Sequence, residues 1–458
     1  MTEKVDVVVI GGGSGGYAAA GITGKAGLKT VVIEAAKEMG GLCILRGCMP
    51  TKALLETSER MRQIREAEEF GIEVGRPALN FEAMMERKNS LVKEFQHYRV
   101  QGLENGPFEI VREKGKFLDP RTVAAGDRIF EAQYIVVSTG STENIPDVEG
   151  LAESPFWTSD EVLEMEELPQ EVIVVGTGAV GLESAFFLQG LGVKVRLFSR
   201  SLPLLKRVGE EVSTALERRC ADLGIEVVEM KALERVSHQD GEFCVTIGDG
   251  REFCTEQLIM ATGRKPFTEG LDLEKAGFGD DRITIDEQGR TKIPHIYAAG
   301  DCASPQLILH LAVKQGEAAG RNIVADSRGL TPVAHWNPDL HMFGIFADPE
   351  IVQVGFTEDE ARSKGYDPLS VSYPFADQGK GMIVGEKHGV AVLIADRRTG
   401  RLLGAAAMGP GVVDHGHCIL VAISQGMTAQ ELLDLPFYHP TLGEIWSYVA
   451  EDLVDELA

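Results

Sequence analysis

Two cysteines, Cys43 and Cys48, are separated by four residues in the stretch GGLCILRGCMPTK, residues 40–52. Two thiols this close can make and break a disulfide if one of them is held as the thiolate. The spacing predicts a helix beginning near Pro50, a residue suited to a first helical turn. Cys48 then lies at the positive end of the helix dipole, which lowers a thiol pKa. Lys52, four residues after Cys48, shares that helical face and adds positive charge. Thiol exchange also needs a group that takes up and returns a proton near neutral pH, and histidine suits this task. The stretch HPTLGEIW, residues 439–446, offers His439 with Glu444 close behind it. Thr441 to Glu444 also reads as T-x-x-E, a capping box for the last helix.

Such groups need a scaffold, and the chain announces one twice. At the start, the apolar run VDVVVI leads into Gly11, Gly13 and Gly16, spaced GxGxxG, and a second apolar run ends at Glu34. A strand, a glycine turn, a helix and an acidic residue about twenty positions on form the dinucleotide fingerprint. Its glycines allow a tight turn and let backbone N–H groups approach a pyrophosphate at the helix N-terminus. The same layout returns in EVIVVGTGAVGLESAFFLQGLGVKVRLFSR, with Gly176, Gly178 and Gly181 and a strand ending at Ser199. Two such units predict two dinucleotides in two domains. The breaks YIVVSTGSTENIP (134–146) and LIMATGRKP (258–266) mark the crossings, and IPHIYAAGDCA (293–303) brings a further strand to a glycine turn before Asp301. After about Leu330 the runs GIFADPEIVQVGF and GVAVLIADRRTGRLLGAAAMGP precede helical AQELLDL, a pattern of α+β type. The expected fold class is α/β: two Rossmann-like dinucleotide-binding domains followed by an α+β domain. The expected segments are 1–145, 146–264, 265–330 and 331–458.

Length and composition bound the reading. The chain has 458 residues, 44% hydrophobic and 25% charged, and a formal net charge of −25. That is ordinary soluble globular composition with room for a large core. The acidic balance argues against nucleic acid or an anionic membrane as partner, because both call for basic surface. No apolar run approaches a bilayer span, and the start MTEKVDVVVI lacks the layout of a signal peptide. A cytoplasmic setting is expected. The seven cysteines are odd in number and scattered, unlike a secreted disulfide framework, and no zinc-type pairing of CxxC motifs occurs, so no metal is expected. Cys220, Cys244, Cys254, Cys302 and Cys418 are expected as small buried apolar residues.

Taken together, GGGSGG, GGLCILRGCMPTK, the STG turn, GTGAVGLE, ATGRKP, IYAAGDC, DPEIVQVG and HPTLGE resemble the flavoprotein disulfide reductases. This is the family of dihydrolipoamide dehydrogenase, glutathione reductase and mercuric reductase, and the pattern is closest to the first. The resemblance runs nearly end to end. It implies FAD on the first glycine unit, a nicotinamide nucleotide on the second, and a homodimer built by the last segment. It makes Cys43–Cys48 a redox disulfide recycled at each turnover, with Cys48 on the flavin side and Cys43 as the exposed interchange thiol. Lys52 would pair with Glu183 beside the flavin N5. His439 would be the base, oriented by Glu444 and acting on the cysteines of the opposite subunit. The cofactor-binding set that goes with the resemblance starts with Gly11, Gly13, Ser14, Gly16, Glu34, Gly41, Cys43 and Lys52. It continues through Gly115, Thr139, Gly140, Asp301 and Leu309. On the second unit it comprises Gly176, Gly178, Val180, Gly181, Ser199, Arg200, Lys206 and Gly263.

Departures from the family pattern carry information about specificity. NAD-using relatives end the second strand of the second unit with an acidic residue that holds the 2′-hydroxyl. Here that position is Ser199, followed by Arg200, with Lys206 and Arg207 beyond. A 2′-phosphate calls for cationic donors, so NADP(H) is expected in preference to NAD(H). Leu42, Leu45 and Arg46 replace the Thr, Asn and Val usual in lipoamide enzymes. Gly21 and Ile22 stand where glutathione reductases carry a substrate arginine. The C-terminus YVAEDLVDELA lacks the cysteine pairs of mercuric and large thioredoxin reductases. By elimination the leading substrate is dihydrolipoamide or a lipoyl-bearing protein. An NADPH-dependent reductase of another small or protein disulfide stands beside it, and so does a flavoprotein redox sensor that does not turn over.

Overall fold

Val7, Val8 and Val9 are fully buried and Ile10 nearly so, as a strand covered on both faces must be. This strand, Thr2–Ile10, lies between Thr30–Ile33 and Arg128–Val137, parallel to both. Glu109–Val111 extends the sheet beyond Thr30–Ile33, and Ile296–Ala298 pairs with the end of Arg128–Val137. Gly115–Asp119 and Thr122–Ala125 form an antiparallel meander on the first half of that long strand. Helices Ser14–Lys25 and Leu309–Ser327 pack closely because glycines line their contact. A Cβ added at Gly316 would lie 2.1 Å from the Gly15 carbonyl oxygen.

The computed structural model describes residues 1–279 and 282–458. These divide into two compact units, the sheet above belonging to the first: residues 1–50, 86–144 and 264–338. The second unit comprises 51–85, 145–263 and 339–458. Its parallel sheet runs Glu226–Glu229, Lys194–Ser199, Glu171–Val175, Gln257–Met260. Helix Ala179–Gly190 follows the glycine turn and is buried at every position from Gly181 to Leu188, Glu183 and Ser184 included. An antiparallel three-stranded sheet, Leu233–Gln239, Glu242–Ile247 and Glu252–Thr255, belongs to the same unit. The C-terminal sheet runs Met342–Ile345, Ile351–Gly355, Leu402–Met408, Val390–Asp396, Pro368–Pro374. Leu402–Met408 is buried throughout, and Trp446 of helix Ile445–Leu457 is fully buried in the core that the sheet shares with that helix. The order of two glycine-turn sheets and a final α+β segment is the order expected. No helix among the described residues is long and apolar enough to cross a membrane.

The cysteines outside the 40–52 loop divide. Cys220 and Cys302 are buried, and burial pushes the Cys220 thiol up to about 12 and the Cys302 thiol upward as well. Cys244 and Cys254 were expected to be buried and unlinked; instead they are half-buried and joined by a disulfide. The period of two in a strand explains their exposure: Phe243, Val245 and Ile247 take the core face of Glu242–Ile247, so Cys244 takes the other. Cys418 is exposed, because helix Val412–Ser424 buries Val412, Gly416, Ile419 and Ala422, a stripe that omits it.

Candidate functional site

The cysteine loop is built by glycines. Cys43 lies in the short helix Leu42–Leu45, and Cys48 opens helix Cys48–Arg65, two residues ahead of the start expected at Pro50. Pro50 thus sits in the first turn, where its missing N–H costs nothing. A Cβ at Gly47 would lie 3.2 Å from the Cys43 Cα, so the bare glycine lets the chain fold back on itself between the two thiols. One at Gly41 would lie 3.4 Å from the Gly13 Cα, which brings the cysteine loop against the first glycine turn. Cys48 is exposed and Cys43 half-buried, the reverse of the order expected. A cavity of about 360 Å³ beside the loop is lined by Ile44 and Met49, next to the two thiols, and by Tyr17, Phe95, Tyr98, Arg99 and Gly102. The Arg99 guanidinium stacks 4.7 Å from the Tyr17 ring centre.

Around the first turn, Glu34 is engaged with backbone. Its Oε2 accepts from Gly12 N–H at 2.8 Å and its Oε1 from Ala36 N–H at 2.8 Å. Ser14 opens the helix of that turn. Asp301 follows strand Ile296–Ala298 and accepts from the Ser141 hydroxyl at 2.7 Å. Arg264 donates to Ser141 and to Glu143 beside it. Thr139 donates to the Phe267 carbonyl at 2.5 Å, and Gly140 holds a φ of +76°. Leu309 is exposed at the start of helix Leu309–Ser327. Gly115 has a packing reason of its own, since a Cβ there would lie 3.1 Å from Ile10 Cγ2. Sequence reasoning missed Gln315, which is fully buried, accepts from Gly300 N–H at 2.8 Å and leaves its Nε2 unpartnered.

Both turns hold a glycine that neither packing nor backbone conformation requires. Gly13 has φ −65° and Gly178 φ −76°, and a Cβ at either would meet nothing within 4 Å. An extended negative φ suits any residue, so close approach of a ligand to bare backbone is what remains to explain them. The two cradles therefore fit pyrophosphates. In the second, Ser199 is buried, donates to the Ser201 carbonyl at 2.7 Å and lies 3.2 Å from the Thr177 hydroxyl. Arg200, Lys206 and Arg207 are all exposed, and Arg207 stacks on the Phe343 ring at 4.8 Å. Val180 is exposed on the first turn of its helix, and Gly263 holds a φ of +102°.

Lys52 and Glu183, separated by 131 positions, come together: Lys52 Nζ donates to both carboxylate oxygens at 2.8 Å. Glu183 is almost wholly buried and also accepts from Phe346 N–H at 3.1 Å. The ammonium lies 4.7 Å from the Phe346 ring centre. A carboxylate this buried needs that partner, and removing the lysine leaves an uncompensated charge.

His439 and Glu444 also meet. His439 Nδ1 lies 3.0 Å from each carboxylate oxygen, with the imidazole exposed and the carboxylate mostly covered. The capping box expected from Thr441 does not form. A 3₁₀ turn, Leu442–Glu444, enters the last helix, Thr441 donates to the Tyr438 carbonyl instead, and Glu444 is spent on His439. Two residues without a sequence signal hold this segment. Gln378, fully buried, donates to the Thr441 carbonyl at 2.6 Å. His415 accepts from Trp446 Nε1 at 2.9 Å, and burial pushes its pKa down to about 4.

The model of the pyridine nucleotide-disulphide oxidoreductases matches residues 5–316, and the dimerisation domain of the same group matches 343–450. The chain belongs to the pyridine nucleotide-disulphide oxidoreductases. It is 32% identical to a dihydrolipoyl dehydrogenase of Bacillus subtilis, over 97% of each chain. It is also 30% identical to a mercuric reductase of Acidithiobacillus ferrooxidans, over 96% of this chain and 81% of that one. Its fold matches the HOCl-induced flavoprotein disulfide reductase RclA from Escherichia coli with a TM-score of 0.86, at 23% identity, over 98% of this chain and 99% of that one. As a member of this family the chain is an oxidoreductase that uses FAD and a pyridine nucleotide, and its last segment is a dimerisation domain.

Proposed function

We propose that this oxidoreductase passes electron pairs from NADPH to a disulfide, or back from a dithiol, through Cys43 and Cys48, and that it works as a homodimer. The observation that carries the reading is Cys48 in the first position of helix Cys48–Arg65, with Cys43 folded back near it across Gly47. The helix N-terminus stabilises a thiolate there. Bound FAD would supply the two-electron carrier between nicotinamide and sulfur. Gly13, Glu34 and Asp301 would hold it in the first cradle. In the sulfur half-reaction His439 of the partner subunit takes the Cys43 proton, the resulting thiolate attacks one substrate sulfur and the other sulfur leaves. Cys48 then attacks Cys43, releasing the second substrate thiol and closing the Cys43–Cys48 disulfide. Two electrons leave the protein and two protons go to the substrate, one of them by way of His439 of the opposite subunit. Glu444 on Nδ1 leaves Nε2 to carry that proton.

A lipoyl group or lipoyl-bearing protein is the leading substrate, and a cytoplasmic setting, where NADPH keeps such a pair cycling, belongs to the same reading. A different disulfide bearing an anionic group is favoured by Arg46, exposed between the thiols, and by Arg99 on the cavity wall. The bonded His439–Glu444 pair weighs against a sensor, which needs no base. The test crosses NADPH and NADH with lipoamide, glutathione disulfide, coenzyme A disulfide and an oxidised lipoyl protein. The expected result is multiple turnover with kcat/KM about tenfold higher for NADPH, the worth of one charge-assisted hydrogen bond. A clear NADH preference overturns the nucleotide assignment, and arrest after one reduction overturns turnover.

A further inference from the structure

We propose that Cys244, Cys254 and Glu242 form a redox-gated site for a thiophilic divalent cation, zinc being the natural candidate. None of these residues takes part in the chemistry proposed above. Cys244 and Cys254 face each other across the hairpin of Glu242–Ile247 and Glu252–Thr255, with Cα atoms 4.1 Å apart, and are joined by a disulfide. Ile247 N–H donates to the Arg251 carbonyl, so Ile247 and Arg251 are a hydrogen-bonded pair. Counting along the ladder, Cys244 and Cys254 then fall at a non-hydrogen-bonded pair, where opposed side chains approach most closely. Their face is the outer one, opposite buried Phe243, Val245 and Ile247. Glu242, two residues before Cys244, shares that face. One carboxylate oxygen and the two sulfurs all lie within 4.8 Å of one another.

While the disulfide stands, neither sulfur is a thiolate, and the cation has no soft ligand. An external dithiol changes that: the Cys244–Cys254 bond takes up two electrons and two protons, and the dithiol is oxidised to its own disulfide. The cation then displaces the two thiol protons and binds both sulfurs and the Glu242 carboxylate. Water completes the tetrahedron, because Glu242 is exposed and both cysteines are half-buried. Two thiolates with one carboxylate suit zinc, a borderline-soft ion with no demand for a fixed geometry. Calcium or magnesium, which take oxygen ligands, are excluded by the sulfurs.

The test uses the holoenzyme, with and without anaerobic treatment with dithiothreitol, which is then removed. Peptide mapping after iodoacetamide should find Cys244 and Cys254 protected before reduction and modified after it; modification before reduction overturns the gate. Zinc is then titrated against a chromophoric chelator. Other reduced thiols bind zinc too, so the comparison is between reduced wild type and reduced C244S/C254S. Wild type should hold one more zinc per chain, and the excess should vanish on reoxidation. E242Q should keep that stoichiometry and lose affinity by about tenfold or more, since even residues that only orient ligands are worth that much. Equal zinc in the reduced wild type and the double variant overturns the site. Holoenzyme first reduced with NADPH and blocked with iodoacetamide, and only then treated with dithiothreitol, should gain its zinc at Cys244 and Cys254, which gives the same reading without a substitution in the sheet.

Discussion

The two glycine turns have nearly one backbone and part company at one residue. Gly11 and Gly176 hold φ of +103° and +116°, and a Cβ at either would lie 2.2 Å from the carbonyl oxygen of Ser138 or Ala261. The N–H of each donates to the end of the neighbouring strand, Gly11 to Ile33 and Gly176 to Phe198, at 2.8 and 2.9 Å. Gly16 and Gly181 let each helix close on its turn, since a Cβ would come within 2.0 and 1.9 Å of the Gly11 and Gly176 oxygens. What differs is the end of the second strand. The carboxylate of Glu34 is bonded to the turn itself, at Gly12 N–H. Ser199 meets its turn through a side chain, the Thr177 hydroxyl, and donates to the Ser201 carbonyl, and Arg200 is exposed. The turn is a general anion cradle, whereas the choice of nucleotide rests on the residue at the strand end, which meets the ribose.

That comparison can be broken most sharply at the closest approaches. In G181A the new methyl group must push the backbone, at about 1–3 kcal/mol. NADPH should reduce the variant about tenfold to a hundredfold more slowly while its flavin absorbance is retained. G16A should instead be purified with little flavin. Loss of flavin from G181A, read by absorbance and stopped-flow reduction, would mean that the turns are not independent.

An effect on specificity, at the upper end of that range, is expected from giving the second turn the acidic strand end of the first. S199E combined with R200A places a carboxylate toward the ribose and removes a cation. The ratio of kcat/KM for NADPH to that for NADH should fall by about a hundredfold, from two lost or reversed charge contacts at ~1.4 kcal/mol each. An unchanged ratio would shift the discrimination to Lys206 or elsewhere. The mildest change is E34Q, which keeps an acceptor for Gly12 N–H and loses the charge. Flavin should bind about fivefold more weakly, near the ~1 kcal/mol separating neutral from charge-assisted bonds. A titration of apoprotein with FAD reads this directly.

Local pattern made much of this legible. The glycine spacings, the apolar runs beside them, and the cysteine loop ahead of Pro50 all lie within about thirty residues, where steric limits and hydrophobic period dictate the outcome. Pairings that depend on local competition were harder. Thr441 and Glu444 carry the capping-box spacing, yet the carboxylate is bonded to the His439 imidazole and the hydroxyl finds a carbonyl. Cys244 and Cys254 lie ten positions apart, but only the hairpin register makes them opposite.

By itself the sequence determined that two dinucleotide cradles and a close pair of thiols occur in one acidic chain, because those features need only short-range geometry. Tertiary structure decided which distant groups neutralise one another. Lys52 reaches Glu183 across 131 positions, a pairing that the family resemblance implied and no local pattern showed, and Gln378 and His415 come to support the segment that carries His439. Burial is the physical reason: a carboxylate or an imidazole withdrawn from water must find its partner within a few ångströms, and only the folded chain fixes which partner that is.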